Sequence, residues 1–193
     1  MEENKNEEKS GIPIPQVFLN TDTGGPIERC IQCDYQVLDG GRHYMIEKVF
    51  KRYPEFKKTE VLFEYAICSK CYEEMKEAMS AESMQNLSAY MMGNMNFSQL
   101  QQRMEEEPDN PDHWLSSCLI KGTPKEELRE YQMGACFKGD RLVMDMMPPF
   151  LIGEMALEEL NALLSKETKD EMDGFMGDHF GIPPELRKDL ILI

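Results

Sequence analysis

The sequence predicts an α+β fold of two similar units, each a tight turn, a β-hairpin and a helix, the first built on cysteines and the second lacking most of them. Three observations lead there. Four of the six cysteines fall in two Cys-x-x-Cys pairs, Cys30-Ile31-Gln32-Cys33 and Cys68-Ser69-Lys70-Cys71, with 34 residues between the pairs. Between them lie two runs rich in β-branched and aromatic residues, Tyr44 to Phe50 and Val61 to Ile67, which read as strands. Residues 67–91 also align with residues 152–176 at a shift of 85 positions, in order and without gaps.

Residues 1–27 open with a charged stretch and continue through Pro13, Pro15, Gly24, Gly25 and Pro26, which interrupt any regular element. A flexible tail is expected there. Its apolar triplet Val17-Phe18-Leu19 can dock as an edge strand. The first unit spans residues 28–93. Cys30 to Cys33 makes a tight turn, Asp39-Gly40-Gly41 supplies turn chemistry before the first strand, and Pro54 turns the chain toward the second. Cys68 and Cys71 open a helix with Tyr72, Met75 and Met79 on its apolar face. Ser80 is placed to cap a second helix carrying Met84, Leu87, Tyr90 and Met91.

Residues 94–117 carry one basic and five acidic side chains and read as an acidic linker. Residues 118–193 form the second unit. In the alignment Ile67 meets Ile152, Ser80 meets Ser165, Ser83 meets Thr168, Tyr90 meets Phe175 and Met91 meets Met176. Upstream, Tyr44 to Phe50 corresponds to Tyr131 to Phe137, and Cys30 to Cys118. Duplication accounts for a strand, a helix and a serine-led second helix recurring in one order. Two small cores fit that arrangement.

Four thiolates favour a tetrahedral zinc ion with Zn–S near ~2.3 Å, and two residues between paired cysteines let one turn aim both sulfurs at one point. Cys30, Cys33, Cys68 and Cys71 are therefore the candidate ligands of one structural Zn²⁺. Such a closed site leaves no position for substrate water. Iron or an iron–sulfur cluster can use the same ligands and is the less common outcome. The layout resembles the treble-clef and zinc-ribbon group of zinc-finger domains over about residues 28–80. That resemblance implies the same four ligands and no particular activity, because the group serves many purposes.

In the second unit the four ligand places become Cys118, Lys121, Gly153 and Ala156. One thiol cannot hold zinc, so this unit is expected to be a metal-free degenerate copy packed by Phe137, Met146, Met147, Phe150, Leu151, Leu160, Leu163 and Leu164. Lys121 would bring an ammonium to the old metal position. A rearranged site of Cys118 and Cys136 with His113 or His179 is the rival reading, and a Cys118–Cys136 disulfide is disfavoured in a reducing compartment.

The net charge of −15 repels phosphate backbones, but it is unevenly spread. Residues 28–76 hold nine basic and nine acidic side chains and are neutral. The basic cluster Lys48, Lys51, Arg52, Lys57 and Lys58, interleaved with Phe50, Tyr53 and Phe56, reads either as a nucleic-acid contact with stacking rings or as a solvated hairpin tip. The acidic total favours the tip. Sixteen methionines serve as irregular core filling or as an adaptable docking surface, with Met144, Met146 and Met147 beside Pro148-Pro149 the most exposed group.

His43, His113 and His179 stand apart from any catalytic spacing, and no phosphate-cradling glycine loop is present, so no catalytic residues are assigned. The apolar C-terminal stretch from Phe180 to Ile193 is expected to pack back on its own domain. No run reaches the ~20 apolar residues of a membrane span, and the N-terminus lacks a secretion-signal pattern, which points to the cytoplasm. The resulting expectation is a zinc-stabilised protein-interaction or adaptor module with a protein partner. The alternatives are a nucleic-acid-binding ribbon using residues 48–58 or, less favoured, a thiol-redox enzyme.

Overall fold

The computed structural model describes residues 11–181. Its centre is an antiparallel sheet whose strands come from both halves of the chain. Strand β1 (His43–Tyr53) pairs with β2 (Lys58–Cys68) on one side and with β3 (Glu130–Lys138) on the other; β4 (Arg141–Val143) and β5 (Phe150–Gly153) both pair with β3. The β1–β2 connection is a one-turn 3₁₀ helix at Pro54–Phe56, where proline opens the turn.

The helices are α1 (Ser69–Ala78), α2 (Ala81–Asn94), α3 (Phe97–Glu106), α4 (Pro111–Trp114), α5 (Glu154–Ala162) and α6 (Lys166–Phe180). None is long and apolar enough to cross a membrane. Residues 94–117, read as an acidic linker, contain α3 and α4 and bury Leu100 and Trp114. The acidic residues face out, while these two apolar side chains tie the segment to the core.

The expectation of two small cores gives way to one buried cluster that draws on both halves. The reason is the register of β1 against β3, which sets Tyr44 opposite Phe137, Glu47 opposite Gly134 and Phe50 opposite Tyr131. Tyr44 stacks on Phe137 with centroids 5.6 Å apart and Phe50 on Tyr131 at 5.0 Å. Such cross-strand aromatic pairs are the units of sheet stabilisation. On the other face of β2, Phe63 and Tyr65 meet Phe175 and Phe180 of α6. Of the residues expected to pack the second half, Phe137, Phe150, Leu151, Leu160 and Leu164 are buried, but Met146 is exposed.

At the centre of the β1–β3 pair, Gly134 is required by close approach. The Phe150 ring fills the space where a β-carbon would stand. We expect Gly134→Ala to force that ring aside and cost about 1–3 kcal/mol, the usual penalty for overpacking. A lowered urea midpoint at unchanged m-value is the measurement. Opposite Gly134 sits the fully buried Glu47, which accepts hydrogen bonds from the Tyr65 hydroxyl and from Gln132 Nε2, the latter at 3.0 Å. Burial and the Glu47 charge push the Tyr65 hydroxyl well above its ordinary pKa, so it remains a donor.

Residues 11–26, expected to be a flexible tail, follow a hydrogen-bonded path across the sheet. Val17-Phe18-Leu19 does not add an edge strand; Gln16–Phe18 forms one 3₁₀ turn that buries Phe18 completely against Phe137, centroids 5.5 Å apart. One large ring anchors this segment more effectively than strand pairing that Pro13 and Pro15 would interrupt. The segment is further held by the buried Lys48, whose ammonium donates to the Leu19 carbonyl and pairs with Glu64 at 2.5 Å.

The serines placed at helix starts cap them. Ser80 accepts the Ser83 N–H at 3.1 Å, and Ser165 accepts the Thr168 N–H at 3.2 Å. The two caps also join each other. Ser80 N–H donates to Thr168 Oγ1 at 3.0 Å, Ser165 N–H donates to Ser83 Oγ at 2.8 Å, and the two cap hydroxyls are 2.9 Å apart. Donors that helix starts leave unsatisfied are thus met across the two halves. The C-terminal stretch beyond residue 181 lies outside the described residues, as do residues 1–10.

Candidate metal centre

Two different local structures deliver the four sulfurs. Cys30 begins a tight turn closed by Cys30 N–H to the Tyr35 carbonyl and Asp34 N–H to the Cys30 carbonyl, both 2.9 Å, with Asp34 in the left-handed region at φ 58°. Ile31 N–H donates to the Ala66 carbonyl at 2.8 Å and docks that turn against the end of β2. Cys68 is the last residue of β2 and the N-cap of α1, and Cys71 lies in the first turn of α1. The strand therefore stops where the helix starts, so Cys68 closes one element and Cys71 lies in the first turn of the next.

The Sγ atoms of Cys30, Cys33, Cys68 and Cys71 all lie within 4.8 Å of one another, and all four cysteines are free thiols. A tetrahedral ion with Zn–S of ~2.3 Å separates its sulfurs by ~3.8 Å, and Cys33 Sγ and Cys68 Sγ are 3.8 Å apart. The Cys68 N–H points at Cys30 Sγ at 3.4 Å. The donor set thus fits a metal ion in both chemistry and spacing. Cys30, Cys68 and Cys71 are buried, whereas Cys33 is exposed.

So close a set of thiols cannot ionise uniformly. Burial raises Cys30 and, with the hydrogen bonds that the Cys71 thiol donates to Cys33 and Cys68, raises Cys71 far more. At Cys68 burial pushes upward too, but the Cys71 N–H and the neighbouring thiols outweigh it and bring the group down to about 7. The start of α1 adds its partial positive charge on the same side. A divalent cation relieves this conflict by stabilising all four thiolates together.

Around the cluster is a set of side chains that the spacing of the cysteines does not reveal. Arg42, just before β1, places Nη1 4.0 Å from Cys68 Sγ and lies over the Tyr35 ring, 4.3 Å from its centroid. The Tyr35 hydroxyl donates to Asp39 Oδ1, which also accepts the Gly41 N–H at 2.7 Å. The Asp39-Gly40-Gly41 turn was legible as a turn, but its role in holding Tyr35 depends on a contact across the loop.

The second-half positions Cys118, Lys121, Gly153 and Ala156 also come together, lining a shallow cavity of about 180 Å³. Cys118 N–H donates to the Thr123 carbonyl and Leu119 N–H to the Leu151 carbonyl, both at 2.8 Å. Gly153 N–H points at Cys118 Sγ at 3.4 Å. Lys121 does not turn its ammonium inward; it pairs with Glu159 at 2.6 Å, and Glu159 also accepts from Tyr90. Leu128 covers Gly153, where a β-carbon would lie 2.6 Å from Leu128 Cδ2.

The remaining candidates are dispersed. Among the described residues, no group of three or more potential ligands forms other than the four cysteines. His43 lies 3.5 Å from Asp145, His113 lies 3.2 Å from Glu106, and His179 packs on Phe175. Cys136 is buried, and burial raises its thiol to about 11. Of the basic tip, Lys48 is buried against Glu64, Lys51 pairs with Glu130, Lys58 pairs with Glu60, and Arg52 donates to backbone carbonyls of residues 125, 126 and 128. These contacts occupy most of the charge that a phosphate backbone would need.

No family model, curated protein or solved structure matches this chain.

Proposed function

We propose that the chain is a zinc-stabilised protein-interaction or adaptor module of the cytoplasm, with one structural Zn²⁺ held by Cys30, Cys33, Cys68 and Cys71. The observation that carries the reading is the four-sulfur cluster, because four protein ligands fill a tetrahedral ion and leave it no substrate position. A structural ion of this kind orders a surface. Support for a contact role comes from large apolar side chains in water: Phe56 is 75% exposed, Met92 84% and Met155 63%. Methionines also line a 240 Å³ hollow between α1 and α2 through Met75, Met79, Met84 and Met91. Unbranched, polarizable side chains of this type adapt to varied partners.

Elemental analysis of the native protein is expected to return one zinc per chain, and the zinc-loaded protein to capture a protein partner that Cys68→Ser does not. Turnover of a small molecule with no partner captured would overturn the adaptor reading.

The second half is read as a degenerate, metal-free copy of the first. Its support is the paired bonding: Cys30 and Cys118 each receive an N–H 3.4 Å from sulfur, donated by Cys68 and Gly153, and Ser80 and Ser165 cap corresponding helices. A direct test restores the ligands. Lys121→Cys, Gly153→Cys and Ala156→Cys together are expected to leave the zinc content at one per chain, since Leu128 crowds position 153. Adding Leu128→Ala should raise it to about two as the cavity opens to a tetrahedral set. A content unchanged by all four substitutions would argue against common descent of the two sites.

A further inference from the structure

Four thiolates around a divalent cation carry a net charge of two minus, and this centre belongs to a protein whose own net charge is −15. Positive charge close to the sulfurs offsets part of that negative charge. Arg42 supplies it from a fixed position. Its guanidinium is 4.0 Å from Cys68 Sγ and 4.3 Å from the centroid of the Tyr35 ring. Tyr35 is itself tied by its hydroxyl to Asp39, and Asp39 by the Gly41 N–H. A β-carbon at Gly41 would lie 2.8 Å from the Tyr35 hydroxyl, so that corner of the loop is shaped around the ring.

Resting on the metal reading above, we propose that Arg42 is the positioning cation of the metal centre, stacked on Tyr35 so that its charge faces the Cys68 thiolate and raises the affinity of the four-cysteine site for zinc. Arginine suits this place because its planar guanidinium stacks on a ring while its N–H groups point beyond it; an ammonium cannot do both. Asp39 keeps Tyr35 in place without contacting the ion. Its carboxylate accepts the tyrosine hydroxyl and the Gly41 N–H.

The test uses the full chain loaded with one equivalent of zinc and follows zinc transfer to a chromophoric chelator. Arg42→Met is expected to weaken zinc binding by about tenfold or more, the usual effect of losing an outer partner of a metal ligand. Arg42→Lys should fall between it and the wild type. Because Arg42 is only partly buried, the gap between wild type and Arg42→Met should narrow when a non-coordinating salt is raised from about 0.01 M to about 1 M, where the screening length drops to ~3 Å. Tyr35→Leu should lose part of the affinity with the charge still present. Arg42→Gln carries the same test if Arg42→Met does not fold.

Zinc transfer indistinguishable from wild type in a folded Arg42→Met protein would overturn the proposal, as would a loss equally large at both salt concentrations, which would mark a packing role. Wild-type protein that takes up no zinc would overturn the metal reading together with this one.

Discussion

Cys68→Ser should release the metal and unfold the protein. Cys68 holds three places at once: it ends β2, occupies the N-cap position of α1 and sits 3.8 Å from Cys33 Sγ. Structural zinc contributes on the order of 10–16 kcal/mol in small zinc-finger peptides, as large as the roughly 5–15 kcal/mol that separates a whole domain from its unfolded state. Losing one ligand leaves three thiols crowded around a point they cannot share as anions. Because β1 belongs both to the hairpin between the cysteine pairs and to the pair with β3, the loss should spread into the second half. Far-ultraviolet circular dichroism beside elemental analysis measures both consequences, and chelation of the wild type should reproduce them. A variant that lost its zinc yet melted like the wild type would show that the apolar core suffices.

Lys48→Met should be the next most damaging change, by about 3–5 kcal/mol, because it removes one partner of a buried ion pair and leaves the Glu64 charge without its cation. Lys48 is 3% exposed and lies 2.5 Å from Glu64. It also donates to the Leu19 carbonyl and, at 3.2 Å, to Thr21 Oγ1. Glu64 in turn accepts the Thr21 N–H at 2.7 Å and hydroxyl at 2.8 Å. The pair therefore fastens residues 19–21 to the sheet, and urea unfolding together with faster amide exchange in residues 14–21 would report its loss.

The same pair carries a pH dependence. Burial raises the Glu64 carboxyl, but Lys48 and the two Thr21 donors outweigh it and hold the group below its ordinary value of 4.5. A carboxyl held low in the folded state stabilises fully above its unfolded pKa and loses that contribution as pH falls through the folded one. Wild-type stability should thus decline as pH drops below about 4.5, and the double variant Lys48→Met/Glu64→Leu should show a shallower decline. An unchanged pH profile in the double variant would remove Glu64 as the source.

The two strands around Pro54, the helix opening at Cys68 and the Ser80 cap were all legible in the chain, since each depends on neighbours within a few residues. The four-cysteine cluster was legible for the same reason, as each Cys-x-x-Cys pair is a local device. The docking of Phe18 was not, because a ring between two prolines signals a break in structure and not what the ring will meet 119 residues later. Arg42 was also missed. Nothing in Asp39-Gly40-Gly41-Arg42 indicates that Tyr35 folds back to support the guanidinium against Cys68.

Short-range order thus specified the α+β class, the hairpin between the cysteine pairs and the four sulfurs that come together. The joining of two halves into one sheet and one core required long-range pairing instead. Glu47 opposite Gly134 and Lys48 against Glu64 and Leu19 bring together positions that no local pattern pairs, and the contact of Ser80 with Ser165 does not follow from their alignment across the repeat. Burial decided these contacts, since a strand with apolar faces and a helix start with unpaired N–H groups each need a partner that lies elsewhere in the chain.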